Sequence, residues 1–403
     1  MPPNSPLPRP LLPTRLDWIR ENLLSGWFNT LLTLGLGLLL IYGGAGFYQW
    51  VFATAKWSVI PTNLPLFFVG RFPADQYWRI WLLGVLIALL SGCTWGVLAR
   101  SSARLFDPWK ILAMVLVALV MAIFPLPEGH GALVRLQLLS LLLLLVGTTW
   151  IAYGAAQRHP VLGRWLSPAW GLMFLLGFWL MVGGLGLPPV STTTWGGLLL
   201  TVFMSLISIA LSFPFGVLLA LGRQSTLPLI RWLSTLYIEV VRGIPLIAVL
   251  FMALIMIPLF LPSNWRLDLV LRAILGLTLF TAAYLAETVR GGLQAIPKGQ
   301  YEAASSLGLN TPLCLALVVL PQALKISIPA IVGLFIALIQ DTTLVSIVGL
   351  FDLLGMSRSI LANPLFIGRY AEVYLFIGIF YWAICYAMSQ GSRYLERQLN
   401  QIK

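Results

Sequence analysis

The chain has only thirteen carboxylates in 403 residues, and two of them stand where they could do chemistry. Asp341 follows an apolar stretch interrupted by Pro321 and Pro329, and Thr342 and Thr343 come directly after it. A carboxylate beside two hydroxyls suits an ammonium group. The same residues also suit the N-cap of a following helix, so both uses stay open. Glu287 lies near the end of another long apolar stretch, with Arg290 three positions on. A carboxylate within a membrane span faces a partner or a cavity. Pairing with Arg290 is the plain use; a gate or a substrate contact is the sharper one. Thr281 and Tyr284, just before Glu287, are candidates for the same cavity. Glu239 and Arg242 are also spaced to pair at i,i+3. There is no G-x-x-x-x-G-K-[ST] to cradle ATP and no H-E-x-x-H. His130 and His159 are far apart. No residue is therefore assigned to catalysis or to a metal.

The elements that position these groups must lie in lipid. The composition is 59% hydrophobic and 9% charged, and the mean hydropathy is +0.91. A core buried from water cannot absorb that much apolar surface in one soluble chain, so the bilayer is its solvent. Cys93, Cys314 and Cys385 have no metal-ligand spacing and read as small apolar residues. Ten stretches are candidate spans: about 29–50, 78–99, 110–126, 133–154, 168–187, 195–221, 244–262, 268–289, 323–340 and 370–390. The first is too long for a signal-peptide core and is taken as an uncleaved span. The net charge of +12 is spread in twos and threes between spans, which argues for topology signals and against nucleic acid. With the N-terminus inside, 17 of the 25 Lys and Arg fall on the inner side and 8 on the outer. That bias puts both termini in the cytoplasm.

The fold class is therefore an all-α polytopic membrane protein with about ten spans. Residues 157–190 contain the one long His/Arg/Pro-rich break and a Pro-Pro pair. They suggest two regions: an N-terminal accessory membrane region, 1–190, with about five spans, and a working region, 191–403. Residues 228–243, "PLIRWLSTLYIEVVRG", place Leu229, Trp232, Leu233, Leu236, Tyr237 and Val240 on one stripe, as an amphipathic helix at the inner interface does.

One cytoplasmic stretch is unusual. "KGQYEAASSLGL", 298–309, is polar and helix-forming and has little to bury. Pro297 fits a first helical position, Gly308 fits the stop, and Asn310 or Thr311 can cap a second helix with Pro312 in its first turn. Residues 297–321 read as helix–turn–helix. Small side chains at Ala303, Ala304 and Ser305 would let a partner's groove approach closely; a solvated loop is the alternative.

"YEAASSLGLNTPLCLALVVLPQAL" resembles the EAA loop of ABC (ATP-binding cassette) importer permeases. Glu302, Ala303, Ala304, Gly308, Val318, Leu320 and Pro321 fill its pattern in order. "YIEVVRGIPLIAVLF", "AAYLAETVRGGLQAIPKGQYEAA" and "LIQDTTLVSIVGLFDLLG" are similar to the polar amino acid uptake branch. The resemblance covers about 191–403, and the long N-terminal half resembles the extended permeases of general L-amino acid and glutamate/glutamine/aspartate systems. It implies that the C-terminal five spans form a type I importer permease core. It implies docking of Glu302, Ala303, Ala304 and Gly308 on ATPase subunits, two copies of which bind the ATP; this chain holds no cofactor. It implies pairing with a related permease or with itself, the heterodimer being favoured. It also implies a periplasmic solute-binding protein, an amino acid substrate and a bacterial inner membrane. Asp341, Thr342, Thr343, Thr281, Tyr284 and Glu287 are the expected substrate contacts. The family often has Lys before this Asp, where Gln340 stands here, and Thr343 replaces Ser. Selectivity for acidic substrates is therefore not carried over. A permease for another small polar solute, or a channel or enzyme acting alone, are the other readings.

Overall fold

A computed structural model describes residues 21–99, 114–115, 117–119, 131–262 and 267–400. Among them the chain is helical, and its β pairing amounts to isolated bridges. Eight helices are long and apolar enough to cross a membrane, and a bent pair raises this to at most nine. The expected span at 110–126 lies outside the described residues apart from a few positions. The chain divides between Trp57 and Ser58 into two compact units. The first contains α1 (Trp27–Gln49), an uncharged helix whose side chains are almost all exposed, as lipid-facing residues are.

In the second unit α2 (Tyr77–Leu98) packs along α3 (Gly131–Arg158) and against α4 (Gly163–Val182). Helix α4 ends at Val182, five residues before the expected 187. Gly183, Gly184 and Gly186 all have positive φ, and Gly184 and Leu187 exchange backbone hydrogen bonds of 2.9 and 3.2 Å in a tight hairpin. Arg79, fully buried, holds this corner by donating to the Pro188 carbonyl at 2.8 Å.

The C-terminal spans are α5 (Gly197–Arg223), α6 (Pro228–Gly243) with α7 (Leu246–Phe260), α8 (Leu269–Gln294), α10 (Leu320–Asp341, entered from Thr311) and α12 (Tyr370–Asn400). The short helices α9 (Lys298–Ser306) and α11 (Leu353–Leu361) sit between them. Helices α6 and α7 meet at 109°, at Gly243–Pro245, where proline stops the incoming helix. The expected span 244–262 is thus one limb of a bent element.

Helix α8 is the hub. It packs on α5, α6, α7 and α10. Small residues permit this. A Cβ at Gly216 of α5 would lie 2.4 Å from the Leu285 side chain of α8. The apolar stripe of α6 faces away from the rest of the chain, as expected of an amphipathic helix at a membrane interface. Its Leu229, Trp232, Leu233, Leu236 and Val240 are exposed, and Ser234 and Ile238 are the residues it buries. The reason is Gly222 of α5, which approaches Ser234 too closely for any side chain of its own. The apolar core joins Phe72, Leu180 and Val190 to Leu200, Leu250 and Leu277, so it runs across residue 190.

Candidate functional site

Helix α9 follows α8 after three residues. Pro297 is its N-cap, one position before the place expected for it. The helix stops as Gly308 requires. The Gly308 N–H donates to Ser305 O at 2.9 Å, the Leu309 N–H to Ala304 O at 3.2 Å, and Gly308 has φ +79. These are the two bonds of a Schellman stop. Asn310 then accepts from the Leu313 N–H at 3.1 Å and caps the next turn. Ala304 is buried with Leu293, Ile296, Cys314, Val319 and Ala323, whereas Glu302, Ala303, Ser305 and Leu307 are exposed. One alanine anchors the helix; its other face stands clear.

Just before it, three helix ends are tied by charge. Glu287 of α8 receives Arg290 through three N···O contacts of 2.8–3.1 Å, Arg223 of α5 at 2.6 Å and Arg242 of α6 at 3.5 Å. Arg223 also binds Glu239 at 2.8 Å. The expected Glu239–Arg242 pair is therefore replaced: α5 brings Arg223 between the two acids. The Arg242 guanidinium rests on the Tyr284 ring, 5.4 Å from its centroid. Both Glu287 oxygens are taken up by arginines.

Asp341 is elsewhere. It has helical dihedrals (φ −64, ψ −22) and its side chain caps nothing, so the N-cap use is not realised. Side-chain caps are made instead by residues such as Asp268, Asn310 and Asp352, all in extended backbone. Thr342 and Thr343 donate their hydroxyls to the Ile339 and Gln340 carbonyls, each at 2.7 Å. Their oxygens keep lone pairs for a donor. Beside them, fully buried Asp352 accepts from the Gly355 N–H at 2.9 Å and the Tyr381 hydroxyl at 3.3 Å. Burial pushes its carboxyl up to about 6, against the pull of those bonds.

These residues form two groups. Ser327 of α10 donates to the Thr288 carbonyl of α8 at 3.2 Å, which sets Glu287 level with the N-terminal half of α10. Asp341 is fourteen residues further, about 21 Å along the axis. Tyr284 and Glu287 share the end nearest α9, Asp341, Thr342 and Thr343 share the opposite end, and buried Thr281 lies between. Sequence spacing could not show Arg223, 64 residues from Glu287, or the Asp352–Tyr381 contact.

The profile described as binding-protein-dependent transport system inner membrane component matches residues 212–401. The inner membrane amino-acid ABC transporter permease protein YhdY of Escherichia coli is 38% identical over 400 residues, 95% of this chain and 92% of that one. The glutamate/glutamine/aspartate/asparagine transport system permease protein BztC of Rhodobacter capsulatus is 37% identical over 430 residues, 96% of this chain and 94% of that one. The probable glutamine ABC transporter permease protein GlnP of Bacillus subtilis is 34% identical over 202 residues, 50% of this chain but 91% of its own length.

Proposed function

Because the chain belongs to the family of ABC transporter permeases, the non-catalytic inner-membrane components of binding-protein-dependent transport, we propose that it carries amino acids inward. The observation that supports coupling is the geometry of α9: one alanine buried, a Schellman stop at Gly308, and an exposed face three residues from the central helix α8. A groove on an ATPase subunit could seat that face without a change in the spans. Two such subunits would bind the ATP. Closure of the pair would move α9 and α8 as a rigid body and switch access between the two sides.

Region 191–403 would be the working core. The family match, which covers residues 212–401, supports that division. Region 1–190 would be accessory. A related permease would complete the pore as a heterodimer, and a periplasmic solute-binding protein would deliver substrate. Both termini would be cytoplasmic. Asp341 would take the α-ammonium group, with the Thr342 and Thr343 oxygens beside it.

The test is uptake of radiolabelled amino acids by cells with and without this chain, competed by each unlabelled amino acid. Uptake that depends on the chain and yields only to amino acids is the expected result. Indifference to all of them would favour another small polar solute. Co-purification of an ATPase, lost when residues 298–309 are replaced by a flexible linker, tests the coupling.

A further inference from the structure

The charge cluster at the inner ends of α5, α6 and α8 is not balanced. Arg223, Arg242 and Arg290 meet Glu239 and Glu287, so the contacting set keeps one positive charge. Helix α5 has no carboxylate, α6 has only Glu239 and α8 only Glu287. The inner half of α10, "LPQALKISIPAIV", has none either. The surplus cannot be met from the helices that build the site.

The surplus falls on Arg242. Arg290 grips Glu287 with two nitrogens and Arg223 bridges both acids at 2.6 and 2.8 Å. Arg242 reaches Glu287 through one nitrogen at 3.5 Å, the longest contact of the set, and its side chain is the most exposed of the three arginines, at 35%. Its stem is nonetheless fixed: the ring of Tyr284 lies under the guanidinium, and the Tyr284 hydroxyl reaches the Arg242 carbonyl at 3.5 Å. A guanidinium carries five N–H donors in a planar fork that matches a carboxylate. Among the described residues this held, partly exposed fork has one acid contact, 3.5 Å from a Glu287 that two other arginines already grip, so it has donors to offer an anion.

We infer that Arg242 binds the α-carboxylate of the substrate at the inner end of the pathway, about 20 Å of helix from Asp341. The inference rests on the amino-acid reading above. The two ends of the path then hold opposite charges, and the substrate is handed over between them. Arg242 is also in the last turn of α6, where a cation is favoured by the helix dipole alone. That purely structural use predicts different results.

The test uses the full chain purified with its ATPase, in neutral phosphatidylcholine discs, without solute-binding protein. The probe is a radiolabelled mixture of the twenty L-amino acids. The competitors are unlabelled amino acids and the same compounds with an uncharged α-amide. Arg242→Gln should weaken binding roughly tenfold to a hundredfold, the loss of one charge-assisted bond, with Arg242→Lys between. Amides should compete poorly against the wild type. Glu239→Gln, at an exposed acid, raises the surplus charge and should bind at least as well as wild type. Equal binding by wild type and Arg242→Gln, or equal competition by amides, would overturn the Arg242 site and leave amino-acid transport standing. Equal weakening by Arg242→Gln and Glu239→Gln would mark a structural lock instead. No binding of the mixture to the wild type would remove the amino-acid reading and this inference together.

Discussion

Gly292 of α8 lies so close to Ser327 of α10 that a Cβ at 292 would stand 2.1 Å from the Ser327 Oγ. It would also stand 2.5 Å from the Ala323 carbonyl oxygen. A hydroxyl can rotate aside, but a helix carbonyl cannot. The two helices therefore meet through a missing side chain at the turn that leads into α9. A displacement of α9 would reach α10 here with little slack, because close-packed surfaces transmit displacement rather than absorb it.

Gly292→Ala should force α8 and α10 apart and cost roughly 1–3 kcal/mol, as overpacking does. Gly291→Ala is the control, since nothing lies within 4 Å of a Cβ there. Thermal unfolding in detergent should show a clear drop for the first and none for the second.

How much of this was legible depended on range. Hydropathy located the spans because each apolar run is its own signal. The stop at Gly308 and the cap at Asn310 were legible because a turn is decided within a few residues. The span at 168–187 was overrun because three glycines in an apolar setting look like span to a hydropathy window. The apolar stripe of α6 was legible as an interfacial face, but the residues the helix buries were not: Gly222, twelve residues away from Ser234, decides that. Arg223 was hidden for the same reason. At the end of an apolar run an arginine looks like a topology signal, and only the packing of α5 on α8 makes it the partner of Glu287.

Ser191 and Ser305 are both exposed and lie on opposite sides in the proposed topology. A cysteine at 191 should react with an impermeant thiol reagent on intact cells. One at 305 should react only after the membrane is opened. The reverse pattern would invert the whole assignment.

Asp352 gives a dependence on pH. Its carboxyl is raised to about 6 by burial, from an ordinary value near 4. The folded chain thus holds this proton more tightly than the unfolded chain. Its stabilising contribution is full at low pH and is lost as pH rises through about 6. The two-unit difference corresponds to at most about 3 kcal/mol. Asn at 352 can still cap α11 but does not titrate. Melting temperature of wild type should fall between about pH 4 and pH 7 relative to Asp352→Asn. Parallel curves for the two proteins would exclude a titrating Asp352.

Gly308→Asp places a charge at the exposed stop of α9. The position has open space around it, so the cost within this chain is confined to a side chain at φ +79. The protein should therefore insert normally. Its effect should appear only where a partner approaches, as fewer molecules transported per ATP in the reconstituted complex. Normal coupling would show that α9 docks elsewhere.

Asp341 carries the most specific expectation for substrate. Glu287 has no oxygen to spare, and Asp352 is occupied as a cap and by Tyr381. Among the described residues no hydrogen bond or ion pair engages the Asp341 side chain, which is half-buried at the end of α10. A carboxylate in that setting is costly unless a cation joins it. The Thr343 hydroxyl already donates backward to the Gln340 carbonyl, so it offers an acceptor only, which suits an ammonium with three donors, whereas Thr342 is fully buried. Asp341→Asn keeps the shape and removes the charge. Because Asp341 caps no helix, stability should hardly change, whereas affinity for amino acids should fall about tenfold to a hundredfold. The α-amides of the same amino acids keep the ammonium group and should suffer the same loss. Binding to the purified complex without solute-binding protein measures both. Unchanged affinity in Asp341→Asn would leave the ammonium group without this partner and send the search down α8 to Thr281.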